Sequence, residues 1–128
     1  MARLIALTRG TVVLVDLEPV KGSETGKRRP AVVVTNDIYN ARVPVVQVVP
    51  LTAWSEKKGR ILTNVVVEAN PENGLAKKSV ADCLQTRPVD RRIRVVGVRG
   101  QIDSLVLARI DRALALVFGL DTSQTHRL

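Results

Sequence analysis

The chain of 128 residues carries one Trp, one Tyr and one Phe. A core without aromatics must be built from aliphatic side chains, and the abundance of Val favours strands. Recognition of nucleic acid by rows of stacked rings is poorly supplied, because Tyr39 and Trp54 are the only rings expected at the surface. Cys83 is the only cysteine. It excludes an intrachain disulfide, fits a reducing cytoplasm and reads as a small buried hydrophobe in a strand. The single His, His126, falls in the last residues. With one His and one Cys there is no ligand spacing for a transition metal, and the scattered carboxylates offer no short paired set for a hard cation. A Ser-His-Asp or Cys-His device would have to draw on that terminal His. No apolar run reaches membrane-spanning length, and Leu4–Leu7 between Arg3 and Arg9 is too short for a secretory signal.

What is present is basic charge. Lys plus Arg number 20 against 12 Asp plus Glu, a formal net charge of +8. On a chain of one domain's length this excess points to a polyanionic partner: nucleic acid, an acidic protein segment or, less readily, an anionic membrane. The richest stretch is Gly22-Ser23-Glu24-Thr25-Gly26-Lys27-Arg28-Arg29-Pro30, which runs into Ala31-Val32-Val33-Val34. Its glycines and hydroxyls make a polar loop, and its cations are delivered at the mouth of a strand. Backbone N–H groups and guanidinium forks both bind oxyanions. By composition alone the stretch reads first as a solvated basic hairpin loop. It lacks the Gly-Lys-Ser/Thr ending of a nucleotide-binding P-loop.

The pattern predicts short strands at 11–17, 30–36, 43–51, 61–69, 79–85 and 94–98. Short helical pieces are expected near Ile38-Tyr39 and over 89–93, a polar loop over 53–60 and a turn at Asn70–Gly74. Val32, Val33 and Val34 run without alternation, as in a strand covered on both faces. Asp103 is a candidate N-cap for a terminal helix. Val106, Ile110, Ala113, Leu114 and Val117 share one face of that helix, and Gly119 stands at its C′ position. Residues 121–128 read as a tail. Many short strands and one terminal helix favour a small barrel or two packed sheets.

With metal and protein nucleophiles unsupplied, the remaining chemistry uses cations and hydroxyls. Arg28, Arg29 and Arg87 can stabilise charge on a phosphate, and Ser23, Thr35, Thr52 and Thr86 can add hydrogen bonds. RNA carries its own nucleophile, the 2′-hydroxyl, and cleaving it needs positioning, an oxyanion clamp and proton transfer. Arginine stays protonated in proteins, so its natural part is electrostatic.

These residues resemble the MazF/PemK toxins of bacterial toxin–antitoxin systems over roughly Arg9 to Leu120. Arg9-Gly10 followed by Val-Asp-Leu-Glu-Pro at 15–19 resembles the family's opening strand. Gly22-Ser23-Glu24 and Arg29-Pro30-Ala31-Val32-Val33 resemble its signature loop and second strand. Asn36-Asp37, Val49-Pro50-Leu51-Thr52, Gly74-Leu75, Ser79-Val80, Gln85 with Arg87, Asp90 and Ile110-Asp111-Arg112-Ala113-Leu114 follow in order. The resemblance implies a mainly β fold, an SH3-like small β-barrel of the PemK/CcdB type with a C-terminal α-helix, working as a cytoplasmic homodimer. It implies a toxin of a type II toxin–antitoxin system: a sequence-specific endoribonuclease that cleaves single-stranded RNA without metal or cofactor. The products would be 2′,3′-cyclic phosphate and 5′-hydroxyl ends, and an acidic antitoxin segment would block the site.

The family's catalytic pair falls on Arg29 and Thr52, and its RNA-binding positions on Ser23, Glu24, Gln85 and Arg87. Lys27 and Arg28 become attractors for the RNA backbone. Trp54 either stacks a base or covers an end of the barrel. Lys57, Lys58 and Arg60 read as a solvated, phosphate-attracting stretch. Two departures stand out. Val13 or Leu14 occupies the place of an aromatic in the first strand, and Pro88 that of a Thr after the arginine, which removes a hydroxyl and an N–H from the RNA edge. The rival reading is a non-enzymatic, CcdB-like toxin that binds a protein target such as DNA gyrase. It has no use for the Arg29/Thr52 pair.

Overall fold

The structure, a computed structural model, describes residues 6–120. The predicted tail at 121–128 and His126 lie outside the described residues. Seven strands are linked in one antiparallel sheet: β1 (Thr11–Asp16), β2 (Arg28–Val33), β3 (Val45–Ala53), β4 (Asn64–Val67), β5 (Ser79–Asp82), β6 (Arg87–Asp90) and β7 (Val95–Gln101). Three one-turn helices, α1 (Asp37–Asn40), α2 (Glu56–Gly59) and α3 (Arg91–Arg94), sit in the connections, and α4 (Ser104–Phe118) closes the described chain. Among the described residues no helix is long and apolar enough to cross a membrane.

The strand order is β4-β5-β3-β2-β1-β7, with β6 also paired to β3. β3 is the hub. One of its edges takes β2. The other takes β6 along its first half and β5 along its second. The path stays open, with β4 and β7 at its ends, so the barrel closure implied by the family resemblance is not formed by strand pairing. Instead α4 packs on the β4 end.

The valine run in β2 is covered on both faces, as its lack of alternation predicts. Val32 joins Val12, Val49, Leu51, Ala81, Cys83, Ile102, Ile110 and Ala113 in the core beneath α4. Ala31 and Val33 join Val13, Val15, Leu17, Val46, Val48, Val89 and Val95 in the second core. The helix is capped where the sequence places its signals. Asp103 accepts from the Val106 N–H at 2.8 Å, and Gly119 takes the left-handed conformation at φ 68°. The predicted stripe of Val106, Ile110, Ala113, Leu114 and Val117 is the docking face, with Leu107 added to it.

Element bounds differ where side chains interrupt the ladder. The expected strand at 79–85 stops at Asp82, and Cys83–Gln85 forms a 3-10 turn that redirects the chain along the same edge of β3. Residues 87–90, half assigned to a helical turn by sequence, form β6, and the turn follows as α3 once Asp90 caps it by accepting from the Arg92 N–H. Within the expected polar loop, Ser55 caps α2 by accepting from the Lys58 N–H.

Cys83 lies wholly within the core under α4, and burial pushes its thiol up to about 12. At pH 8 its thiolate is scarce, so the folded protein is expected to react with a disulfide reagent only as fast as it unfolds. Comparing the native chain with the chain in denaturant tests this; fast stoichiometric reaction of the native chain would contradict it.

Candidate RNA-cleaving site

β2 and β3 pair as Ala31↔Pro50, Val32↔Val49 and Val33↔Val48. Carried two residues further, this register sets Arg29 opposite Thr52. The period of two puts both on the face that carries Ala31, Val33, Val46 and Val48. The buried apolar row of that face thus ends in a polar pair. On the far side of β3, Thr52 pairs with Val80 of β5, and Asp82 follows on the same face. Arginine, hydroxyl and carboxylate therefore come from three adjacent strands, all rooted in one core.

These groups line a cleft of about 420 Å³, with Glu18, Val20, Ser23, Glu24, Thr25, Gly26, Lys27 and Lys58. The half-buried Arg29 donates from Nε to the Gly26 carbonyl at 2.6 Å, which steers its terminal nitrogens. Lys58 Nζ lies 3.4 Å from Thr52 Oγ1. Arg29 and Thr52 also border a neighbouring cleft of about 370 Å³, with Arg28, Lys77, Ser79 and Arg99.

The loop above the cleft is tied down rather than free. Glu18 accepts from the Lys27 N–H at 2.6 Å, and the Leu17 N–H donates to the Lys27 carbonyl at 3.0 Å. Between these bonds Lys27 takes φ 68°, a left-handed conformation rare for a side-chain-bearing residue. Glu24 accepts from the Lys21 N–H at 2.7 Å. Gln85 accepts from the Thr25 N–H at 3.2 Å, linking the loop to the 3-10 turn. Arg87 and Arg94 donate to the Leu17 and Asp16 carbonyls at 3.4 and 3.0 Å. Gly26 is packed: a Cβ there would lie 2.7 Å from Glu18 Oε1 and 2.8 Å from Val20.

The residues singled out by sequence divide into groups. Arg29, Thr52, Ser23, Glu24 and Lys27 meet at the one cleft. Gln85 and Arg87 line a second recess of about 310 Å³ with Leu84, Thr86 and Pro88, joined to the first through Glu24. Arg28 faces the other side of β2 and reaches Asp16 at 3.8 Å. Trp54 is outside the lining of the cleft; its ring carries Lys78 Nζ 4.1 Å from the centroid and rests on Gly59. Asp90 pairs with Arg92 at 2.8 Å. Sequence reasoning missed Asp82 and Lys58 as lining residues. Only the β3–β5 register and the fold-back of α2 reveal them.

The model of the PemK-like, MazF-like toxins of type II toxin–antitoxin systems matches residues 8–118. The chain belongs to this family. Among its relatives, the endoribonuclease MazF of Staphylococcus saprophyticus is 33% identical over 121 residues, covering 94% of this chain and 98% of that protein. The endoribonuclease EndoA of Bacillus subtilis is 34% identical over 112 residues, covering 88% and 94%. A crystal structure of MazF from Deinococcus radiodurans superposes with a TM-score of 0.78 at 25% identity, covering 91% of this chain and 99% of that one. A MazE–MazF complex from the same organism gives a TM-score of 0.72 at 25% identity, covering 91% and 99%. The open sheet with its terminal helix is thus the MazF-like fold.

Proposed function

We propose that this chain is the endoribonuclease toxin of a type II pair, that it cuts single-stranded messenger RNA in the cytoplasm without metal, and that Arg29 and Thr52 carry the chemistry. The observation that carries the reading is the meeting of Arg29, Thr52 and Asp82 from three adjacent strands in one cleft under a basic loop. A scissile phosphate seated there meets the Arg29 guanidinium and the Thr52 hydroxyl. The 2′-oxygen of the substrate attacks phosphorus and its proton passes to the Asp82 carboxylate. The bond from phosphorus to the 5′-oxygen breaks, and the departing oxygen takes a proton from solvent. A 2′,3′-cyclic phosphate and a 5′-hydroxyl result. The Arg29 guanidinium stabilises the charge gathered on the equatorial oxygens. The Asp82 carboxylate is free for its part: it makes no capping bond to the 3-10 turn that follows it, whereas Glu18 and Glu24 are held by backbone N–H groups.

Glu24, Gln85 and Arg87 line the adjoining recess, where a neighbouring nucleotide is read, and Ser23 contacts RNA from the first cleft. Lys27, Arg28 and the net charge of +8 draw in the phosphate chain. The same charge suits an acidic antitoxin segment laid in the cleft, as MazE accompanies MazF in the Deinococcus complex. A second copy of the chain would cover the end strand β7, where Val96 and Val98 are 44% and 53% exposed.

The test is cleavage of a mixed-sequence single-stranded RNA in EDTA. The rate is expected to be unchanged by the chelator, with 3′ ends that resist phosphatase until the cyclic ester is opened by acid. A rate that collapses in EDTA and returns with Mg²⁺ would overturn the metal-free scheme.

A further inference from the structure

Of the three cations in the loop after β3, Lys57 and Arg60 are exposed and Lys58 is half-buried. The backbone of Lys58 is held at both polar ends. Its N–H donates to Ser55 Oγ at 3.1 Å, the N-cap bond of α2. Its carbonyl accepts from Asn64 Nδ2 at 3.1 Å and from the Ile61 N–H at 3.2 Å. Gly59 follows against the Trp54 ring, where a Cβ would lie 2.8 Å from Nε1. A lysine so anchored folds its side chain back over the strand it has just left. Its ammonium sits 3.4 Å from Thr52 Oγ1 and 3.3 Å from the Ala53 carbonyl oxygen.

We propose that Lys58 is a positioning residue for RNA cleavage: its ammonium donates to Thr52 Oγ1 and thereby directs the threonine hydroxyl proton toward the phosphate held by Arg29. This rests on the assignment of Arg29 and Thr52 to the chemistry. The argument is one of donors and acceptors. An ammonium has three N–H donors and no acceptor, whereas a hydroxyl has one donor and two lone pairs. With one lone pair of Thr52 taken by Lys58, its O–H cannot turn back toward the lysine and is left facing the cleft. A second ammonium proton is taken by the Ala53 carbonyl, which fixes the head group and leaves the third proton for the cleft. A rotor already set before substrate arrives costs no reorganisation at the moment of reaction. The exposed neighbours Lys57 and Arg60, the latter paired with Glu56 at 3.2 Å, have no such link to the pair.

Single-turnover cleavage of a short mixed-sequence RNA at saturating protein tests the proposal, with thermal melting as the check on folding. Lys58→Met is expected to slow the bond-breaking step about 10- to 100-fold, the cost of a misoriented group, while RNA affinity falls little. Lys58→Arg should recover part of the rate. Lys57→Met should weaken RNA affinity and its salt dependence, and slow the bond-breaking step less than Lys58→Met does. In a Thr52→Ala background Lys58→Met should cost no more than about twofold, because the group it orients is gone. Ser55→Ala, which loosens α2 but keeps the ammonium, should slow the step less than Lys58→Met. A Lys58→Met protein as fast as the parent at saturation, or a loss of equal size with and without Thr52, would overturn the proposal. Arg29→Ala is run alongside. If it cleaves like the parent, the assignment of the pair has failed; if it is dead while Lys58→Met is fast, only the positioning role has failed.

Discussion

Replacing Arg29 by Ala is expected to lower RNA cleavage by about 10³-fold or more, the scale set by losing a cationic clamp on a transferring phosphoryl group. Affinity for RNA should fall far less, because Lys27, Arg28 and the rest of the +8 charge still attract the chain. The fold should be unaffected, since the side chain of Arg29 is half-buried at the rim and its bond to the Gly26 carbonyl is local. Asp82→Asn separates binding from proton transfer: cleavage slows while RNA is held as before. Single-turnover rates beside equilibrium binding read both effects. Arg29→Ala also divides the two classes of toxin. If growth arrest survives the substitution while RNA cleavage is lost, toxicity arises from binding a protein target and the nuclease reading of the toxic effect is wrong.

The largest loss of stability from the smallest chemical change is expected at Gly100. The turn after β4 crosses directly over β7 there. A Cβ on Gly100 would lie 2.2 Å from the Glu72 carbonyl oxygen and 2.7 Å from the Asn73 carbonyl carbon. Gly74 interlocks from the other side, with a Cβ position 2.2 Å from the Arg99 carbonyl oxygen. The Gln101 N–H donates to the Glu72 carbonyl at 2.8 Å, so the backbones cannot part without losing that bond. Between the two lies the register shift by which Val12 pairs with Gly100 and Val13 with Val98. Gly100→Ala should cost about 3 kcal/mol, at the upper end of overpacking penalties, and lower the melting midpoint by about 10 °C. Gly97 supplies the comparison within the same strand, because nothing lies within 4 Å of its Cβ position. Gly97→Ala should be neutral or stabilising by about 0.5 kcal/mol through the unfolded chain. Equal melting points for the two variants would refute the crossing argument.

Much of this was legible in the residues. The helix declared itself through Asp103, its apolar stripe and Gly119, all short-range signals. The uninterrupted valines of β2 announced a strand covered on two sides. Arg29 and Thr52 could be named from ordered motifs, but the reason they meet is the pairing of β2 with β3, which joins residues 15 to 19 positions apart and leaves no local trace. Asp82 was invisible for the same reason: as a lone carboxylate at a strand end it has no motif, and only its place beside Thr52 gives it meaning. Lys58 was hidden among like charges, because composition cannot tell which of three neighbouring cations folds inward. Arg87 has a second part that its motif does not show. Its guanidinium also braces the Leu17 carbonyl at the base of the loop.

The pairing of Arg29 with Thr52 has a bearing on when this chain becomes dangerous to its host. Side chains alternate along a strand, so sliding β2 past β3 by one residue would carry Arg29 off the cleft face and turn the buried Ala31 and Val33 outward. The contacts that assemble the cleft are thus continuous with those that bury the core, and a partly folded or misregistered chain has neither. On the proposed assignment of Arg29 and Thr52, a newly made chain cannot cut RNA until the sheet has zipped in its one register. The interval before that moment is the time in which a neutralising partner can be waiting.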